Sequence, residues 1–196
     1  MYYNLIIGTT LGVLFTFLIV AGAYWYSRKQ QNHRFSKTFK LTPSGTVLAP
    51  IFMGIYRRYQ FAISPFRDVR KKNRFTLTKV AVKMQNPNGK ILILEKKGKI
   101  LFPDLLTDEK AECSAVNHLE PAITGLTNDV FMLGIIFTDE IKRQIEARMK
   151  EVSCGMIYLF KEELVFLSPV FAGEGEAFSL WAQQMDLLAD IKDVLQ

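Results

Sequence analysis

The residues best suited to chemistry in this sequence are its histidines and cysteines. His118 lies two residues before Glu120, which suggests a general base or two metal ligands, and Cys154 precedes Gly155. A structural zinc site needs four close ligands, but no His-Glu-x-x-His or Cys-x-x-Cys motif completes one here. No histidine stands near Cys154 in the sequence to favour a thiolate. We therefore predict no catalytic residue, no metal site and no cofactor.

The other polar candidates lead to the same expectation. Asp104, Asp108, Glu109 and Glu112 form an acidic stretch without the regular oxygen-ligand spacing and Gly-bearing turn of a calcium loop. This stretch is predicted to be a solvated loop or a patch for a basic partner. Two Gly-Lys-Ile repeats do not match a phosphate-binding loop, in which Ser or Thr follows the lysine. We predict that the protein is not an enzyme.

A long apolar segment near the amino terminus predicts a membrane location for the protein. Residues 1–27 carry no charged side chain, and Leu5 to Tyr24 form a 20-residue apolar run. Such a run is long enough to cross a hydrocarbon core of about 30 Å, and Tyr24 and Trp25 are typical of its boundary. A cleaved signal peptide is the alternative, but it requires a basic start and a shorter apolar stretch. We predict a transmembrane anchor at 1–27.

Charge predicts the orientation of this anchor. No basic residue precedes it, whereas Arg28, Lys29, Arg34 and Lys37 follow it. The positive-inside rule then places the amino terminus outside and the rest of the chain in the cytoplasm, typical of a bacterial inner membrane. Gly8 and Gly12 lie four residues apart within the span, a spacing that lets two membrane helices approach closely. This spacing suggests a homodimer through this helix.

The positive charge is concentrated next to the membrane. From residue 28 to 74 there are 12 Lys+Arg and one acid, whereas residues 75–196 hold 13 basic and 18 acidic residues. Two interpretations stay open: attraction to anionic lipid, and a role only in topology and solubility. No nucleic-acid-binding motif is present, so no nucleic-acid partner is expected. The predicted lipid-facing basic residues are Arg28, Lys29, Arg34, Lys37, Arg57, Arg58, Arg70, Lys71 and Lys72.

Within residues 28–74, Val47 to Ala62 has apolar residues at helical spacing. Pro50 suits a first helical turn, and Ile51, Phe52, Ile55 and Tyr59 fall on one face. We predict an amphipathic helix in a basic juxtamembrane segment. Its apolar residues would face a partner, the lipid interface or the following domain.

Residues 75–196 are predicted to form an α+β domain with helices on one side of a largely antiparallel sheet. Apolar runs predict strands at 75–84, 90–94, 100–102, 121–126, 156–160 and 164–167. Helices are predicted at 130–136, 139–151 and 176–195. Asn128 or Asp129 caps the first of them, and Thr138 caps the second.

The segment from Thr127 onward resembles an uncharacterised bacterial family of membrane-anchored proteins. The matching features are Thr127-Asn128-Asp129, then Phe137 to Glu140, and then the apolar hairpin from Met156 to Leu167. The resemblance implies a fold and a membrane location, and it carries no activity.

The sequence therefore favours a membrane-anchored adaptor, or a subunit of a membrane complex, with protein partners. An alternative is a sensor of anionic lipid surfaces that uses the basic segment. An uncharacterised membrane-bound enzyme is the third hypothesis.

Overall fold

A computed structural model describes residues 2–67, 76–86, 88–96, 107–116, 122–170 and 176–196. It begins with one long helix, α1 (Tyr2–Phe39). The elements that follow, in chain order, are β1 (Leu41–Gly45), β2 (Pro50–Tyr56), β3 (Tyr59–Arg67), β4 (Thr76–Lys83), β5 (Leu92–Lys96), α2 (Thr107–Ala111), β6 (Ser114–Val116), β7 (Ile123–Thr127), α3 (Val130–Ile136), α4 (Asp139–Glu151), β8 (Met156–Phe160), β9 (Glu163–Ser168) and α5 (Ala177–Leu195).

The nine strands in the described residues belong to one antiparallel sheet of order β1-β2-β3-β4-β9-β8-β5-β7-β6. The predicted α+β class is therefore confirmed. The hairpin β8–β9 inserts between β4 and β5, which places it in the middle of the sheet. This position explains why both strands are apolar on both faces, since a central strand is covered on each side.

The predicted helix at Val47 to Ala62 is wrong, because this segment forms the hairpin β2–β3. Arg57 and Arg58 are the only residues between the paired Tyr56 and Tyr59, and both have positive φ, at 45° and 68°. Positive φ at both central residues is the signature of a type I′ turn, whose twist matches that of paired strands. Burial alternates along the segment, with Phe52 on the buried face of the sheet and Met53 on the other. Its apolar residues therefore fit the periodicity of a helix and that of a strand equally.

The described residues from 28 to 67 belong to α1 and to the first three strands of the sheet. The helix α1 continues to Phe39, and β1, β2 and β3 extend the same sheet that holds β4. The predicted boundary at residue 75 does not coincide with a break in the sheet.

The main core lies on the sheet face that is covered by helices. Inward side chains of the strands meet the buried stripe of α4, which is Ile141, Ile145 and Met149 as predicted, and the apolar face of α5. A smaller cluster, including Ile93, Tyr158 and Leu167, lies on the opposite face. The caps also match the sequence, because Asp129 caps α3 and Thr138 caps α4.

The last turns of α1 dock on the sheet. Phe35 is 4% exposed, and its ring lies 5.0 Å from that of Phe52 and 4.9 Å from that of Phe178. Ser36 Oγ donates to the carbonyl of Leu41 at 2.7 Å. The apolar amino-terminal part of α1 is therefore a continuous extension of an element that is built into the core.

Candidate docking surfaces and the membrane-proximal face

The helix α3 is held in place by a dense set of hydrogen bonds around its start. Asp129 accepts from the backbone amides of Phe131 at 3.0 Å and Met132 at 3.2 Å, and its carboxylate lies 2.9 Å from Lys90 Nζ. The hydrogen bond from Lys90, followed by those from the two amides, lowers the pKa of Asp129. Asn128 Oδ1 accepts from the amide of Ile91 at 2.7 Å. The start of α3 is thus tied to the segment before β5.

Every residue of α3 is apolar, yet only one side of the helix is buried. Met132 and Ile136 are fully buried, whereas Phe131 is 88% exposed. Val130 and Ile135 are exposed beside it, and open space surrounds the position where Gly134 would carry a Cβ. At 100° per residue these exposed positions share one side of the helix. We call Val130, Phe131, Gly134 and Ile135 the α3 face.

A second apolar surface lies on the outward side of β2. Ile55 is 66% exposed and Met53 is 50% exposed, with Ile51 half-buried in the same row. Leu48, in the loop before β2, is 65% exposed. We call these four residues the β2 row.

The four predicted partner-facing residues therefore divide into two pairs. Ile51 and Ile55 point outward as members of the β2 row, whereas Phe52 and Tyr59 are buried in the core, at 0% and 7% exposure. A partner role for Phe52 and Tyr59 is wrong, because a strand sends alternate side chains to opposite faces of the sheet.

Arg57 and Arg58, predicted to face lipid, instead join the β2–β3 turn to α5. Arg57 Nη1 lies 2.7 Å from Asp190 Oδ1, and Arg58 Nη2 lies 2.5 Å from Asp193 Oδ1. Hydrogen bonds from the Tyr59 hydroxyl and from Arg58 lower the pKa of Asp193. These ion pairs hold the positive-φ turn against the helix.

The candidate for a membrane-spanning element is α1. Among the described residues it is the one helix long and apolar enough to cross a membrane, and none of its most apolar window is buried. Tyr24 and Trp25 are about half exposed. The guanidinium of Arg28 lies 4.9 Å from the centroid of the Tyr24 ring, and Lys29 Nζ lies 5.3 Å from that of the Trp25 ring. The surroundings of Leu5 and Gly8 lie outside the described side chains, and Gly12 has open space around it.

The basic residues of α1 differ in exposure. Lys29, Arg34 and Lys37 are exposed. Arg28 is only 8% exposed, and its Nη1 donates to Gln31 Oε1 at 3.2 Å. Arg28 is therefore largely covered, which does not agree with its predicted lipid-facing position. Arg70, Lys71 and Lys72 lie outside the described residues.

In the part of the chain that the structure describes, the candidate catalytic and metal-binding residues do not come together in one site. Cys154 is buried, and Cys113 donates to the carbonyl of Glu109 at 3.2 Å. Burial, followed by the charges of Glu112 and Glu109, raises the pKa of Cys113, which disfavours its thiolate. No described group of three or more His, Cys, Asp or Glu residues could hold a metal ion. His118, Glu120, Asp104 and the predicted strand at 100–102 lie outside the described residues.

Sequence reasoning missed the α3 face and the arginine–aspartate contacts. An all-apolar heptapeptide after a capping Asp was visible in the sequence, but which side of it stays uncovered depends on packing against α5. The ion pairs join residues more than 100 positions apart, so no local pattern in the sequence predicts them. The wrong prediction of a helix at Val47 to Ala62 also gave no reason to expect Arg57 and Arg58 beside α5.

No family model matches this sequence, and no curated protein matches it. Its fold is similar to that of a solved structure, the crystal structure of the mycobacterial trehalose monomycolate transport factor A, TtfA. The TM-score is 0.59 at 9% sequence identity, over 88% of this chain and 94% of that chain. The likeness shows a shared fold.

Proposed function

We propose that this chain is a single-pass membrane protein whose α+β domain lies in the cytoplasm and acts as an adaptor or subunit of a membrane-associated protein complex. The α3 face is its proposed contact surface. The basic residues that follow the apolar run support this orientation through the positive-inside rule. The structural neighbour is named as a transport factor, which is compatible with a subunit role.

The observation that carries the proposal is the uncovered half of α3. A helix that is apolar all round is normally buried all round, and contiguous exposed apolar patches mark interaction sites. The exposed half offers a large aromatic anchor, Phe131, next to the flat backbone of Gly134. Buried aromatic anchors carry much of the binding energy at protein interfaces. The cap that Asp129 forms orders α3 before any partner binds, which lowers the entropic cost of association.

The experiment is partner recovery from native membranes. The tagged full-length protein is extracted in mild detergent, and the complex is analysed by native mass spectrometry and partner identification. Phe131→Asp should reduce recovery of the partner about tenfold or more, as expected for a central anchor. Ala147→Asp places the same charge on an exposed position of α4 and should leave recovery unchanged.

A photo-crosslinker at position 131 should capture the same partner, and one at position 147 should not. Equal recovery with both Asp variants, or the absence of any stable partner, would contradict the proposal. The mass of the extracted species also tests pairing through Gly8 and Gly12, which remains a prediction.

A second candidate function is sensing of anionic lipid surfaces, which the exposed Lys29, Arg34 and Lys37 favour. Binding of residues 28–196 to vesicles should then weaken with added salt, because exposed charges are screened over about 10 Å at 0.1 M. Salt-insensitive binding or no binding would exclude it.

A further inference from the structure

Gly134 has no internal packing reason to be a glycine in the part of the chain that the structure describes. It lies in the middle of α3, where glycine is less favourable than alanine, and open space surrounds its Cβ position. Gly45, Gly54 and Gly155 differ, because a Cβ on each would lie 2.8 Å from another atom. The missing side chain at Gly134 instead leaves room for another molecule to approach the backbone closely.

The exposed side chains around Gly134 form a notch. At 100° per residue, Gly134 lies between Val130 and Phe131 around the helix, and Ile135 follows Phe131 by one turn. Val130 therefore forms one wall, Phe131 and Ile135 form the other, and the backbone of Gly134 forms the floor. Packed helices lie about 8–10 Å apart, depending on the side chains at the crossing, so a glycine there permits the closest approach. The notch fits a helix that crosses α3 at Gly134.

The α3 face is too small to hold a second copy of this chain by itself. A phenylalanine buries about 150–250 Å². Because Phe131 is 88% exposed, it offers most of that area, and with Val130 and Ile135 the face offers roughly 300–400 Å². A standard interface takes about 800 Å² from each partner. A helix that crosses α3 and continues over the start of α4 contacts a larger surface.

The surface beside the α3 face is acidic. Asp139 and Glu140 begin α4, and both are exposed. Neither carboxylate belongs to an ion pair among the described residues. Asp139 follows Ile135 by four residues, which places their Cα atoms within about 14 Å of each other. This negative charge favours a basic partner and opposes an anionic lipid surface, since complementary charges select partners and like charges reject them.

We propose that the partner at the α3 face is an amphipathic helix of another protein, which crosses α3 at Gly134. Its apolar stripe covers Phe131 and Ile135. Lysine or arginine side chains beside that stripe meet Asp139 and Glu140. The inference rests on the proposed function and adds to it the kind of partner that the contact surface binds.

A larger side chain at position 134 tests the close approach. Gly134→Leu should lower recovery of the partner from native membranes about tenfold or more, because the new side chain fills the notch. Its melting temperature should be no lower than that of the wild-type protein, since leucine favours a helix more than glycine does. A lower recovery would then not result from unfolding. Ala147→Leu adds bulk at an exposed position of α4 and should leave recovery unchanged.

Photo-crosslinkers at positions 131 and 135 test the helical form of the partner. The full-length protein is illuminated in native membranes, and the adducts are mapped on the partner by mass spectrometry. We expect adducts three, four or seven residues apart, because such positions share one face of a helix. Adducts at every second residue would indicate a strand. That pattern, or adducts mainly on lipid or on another copy of this chain, would overturn the inference.

Removal of the two acids tests the charge of the partner. Asp139→Asn combined with Glu140→Gln should lower recovery about threefold and remove its dependence on salt, because salt screens attraction between exposed charges. Glu176→Gln removes an exposed carboxylate at the start of α5 and should have neither effect. Recovery that depends equally on salt in the double variant and in the wild-type protein would overturn the basic character of the partner.

The outcomes separate this inference from the proposed function. Loss of recovery in Phe131→Asp with full recovery in Gly134→Leu would overturn the crossing helix and leave the α3 face as the contact surface. Loss in both variants, with full recovery in Ala147→Leu, is the expected result. Full recovery in Phe131→Asp would contradict the proposed function itself, and the inference with it.

Discussion

The Tyr56 hydroxyl donates to Asp186 Oδ1 at 2.7 Å and joins the end of β2 to α5, 130 residues later in the chain. Arg57, the next residue, pairs with Asp190 one helical turn further along. The hairpin β2–β3 and the carboxyl-terminal helix are therefore linked by polar contacts at the rim of an apolar interface.

The Tyr56 contact predicts a loss of stability in alkali. Burial, followed by the hydrogen bond to Asp186 and its charge, raises the pKa of Tyr56 to about 12, against about 10 in an unfolded chain. The neutral phenol is thus favoured in the folded state. Its stabilisation is fully present below pH 10 and is lost as the pH rises towards 12.

Tyr56→Phe should flatten the fall of stability between pH 10 and 12, measured by thermal unfolding in detergent. At neutral pH it should lower the free energy of unfolding by about 1 kcal/mol, through the lost hydrogen bond. The same change at the exposed Tyr26 serves as the control. A residual slope should remain from Tyr158, because burial raises its pKa as well. An unchanged profile in Tyr56→Phe would show that this contact does not form in solution.

Asp193 predicts a loss of stability in acid. Its pKa is lowered by hydrogen bonds from Tyr59 and Arg58, below about 3.9 in the unfolded chain. The stabilisation is present above the unfolded value and is lost as the pH falls through the folded one. Asp193→Asn should therefore flatten the acid limb below pH 4 without altering the alkaline limb. Glu162→Gln, at an exposed turn position, is the matched control, and an equal effect of both changes would contradict this account.

How much of this arrangement the sequence predicts depends on whether the signal is local. Short-range patterns predicted the helix caps formed by Asp129 and Thr138 and the buried apolar stripe of α4. The structure confirms them. The segment around Gly54 fits helix and strand equally well, and the pairing with β1 and β3 decides between them. The α3 face gave no local signal, because which side of this helix stays exposed depends on its packing against α5.

Phe35 should couple the long helix α1 to the sheet and to α5. Its ring is buried among Phe52, Phe178 and Trp181. Phe35→Ala should lower the free energy of unfolding by about 3–5 kcal/mol, the usual cost of removing a core aromatic ring. Trp25→Phe leaves Trp181 as the single tryptophan, whose fluorescence then reports melting of this site. Phe15→Ala, at an exposed position of the same helix, should leave the melt unchanged.

Two glycines should respond to the same substitution with opposite signs. A Cβ on Gly54 would lie 2.8 Å from the carbonyl oxygen of Lys40 and 3.0 Å from Leu41 Cα, and neither backbone atom moves easily. Gly54→Ala should therefore destabilise the fold by about 1–3 kcal/mol, as overpacking does. Gly134 has open space around its Cβ position and lies within α3, so Gly134→Ala should stabilise the fold by about 0.5–1 kcal/mol. Thermal unfolding of both variants in the Trp25→Phe background measures the contrast. If Gly54→Ala is as stable as the parent protein, the close approach between β2 and the Lys40–Leu41 backbone is not present in solution.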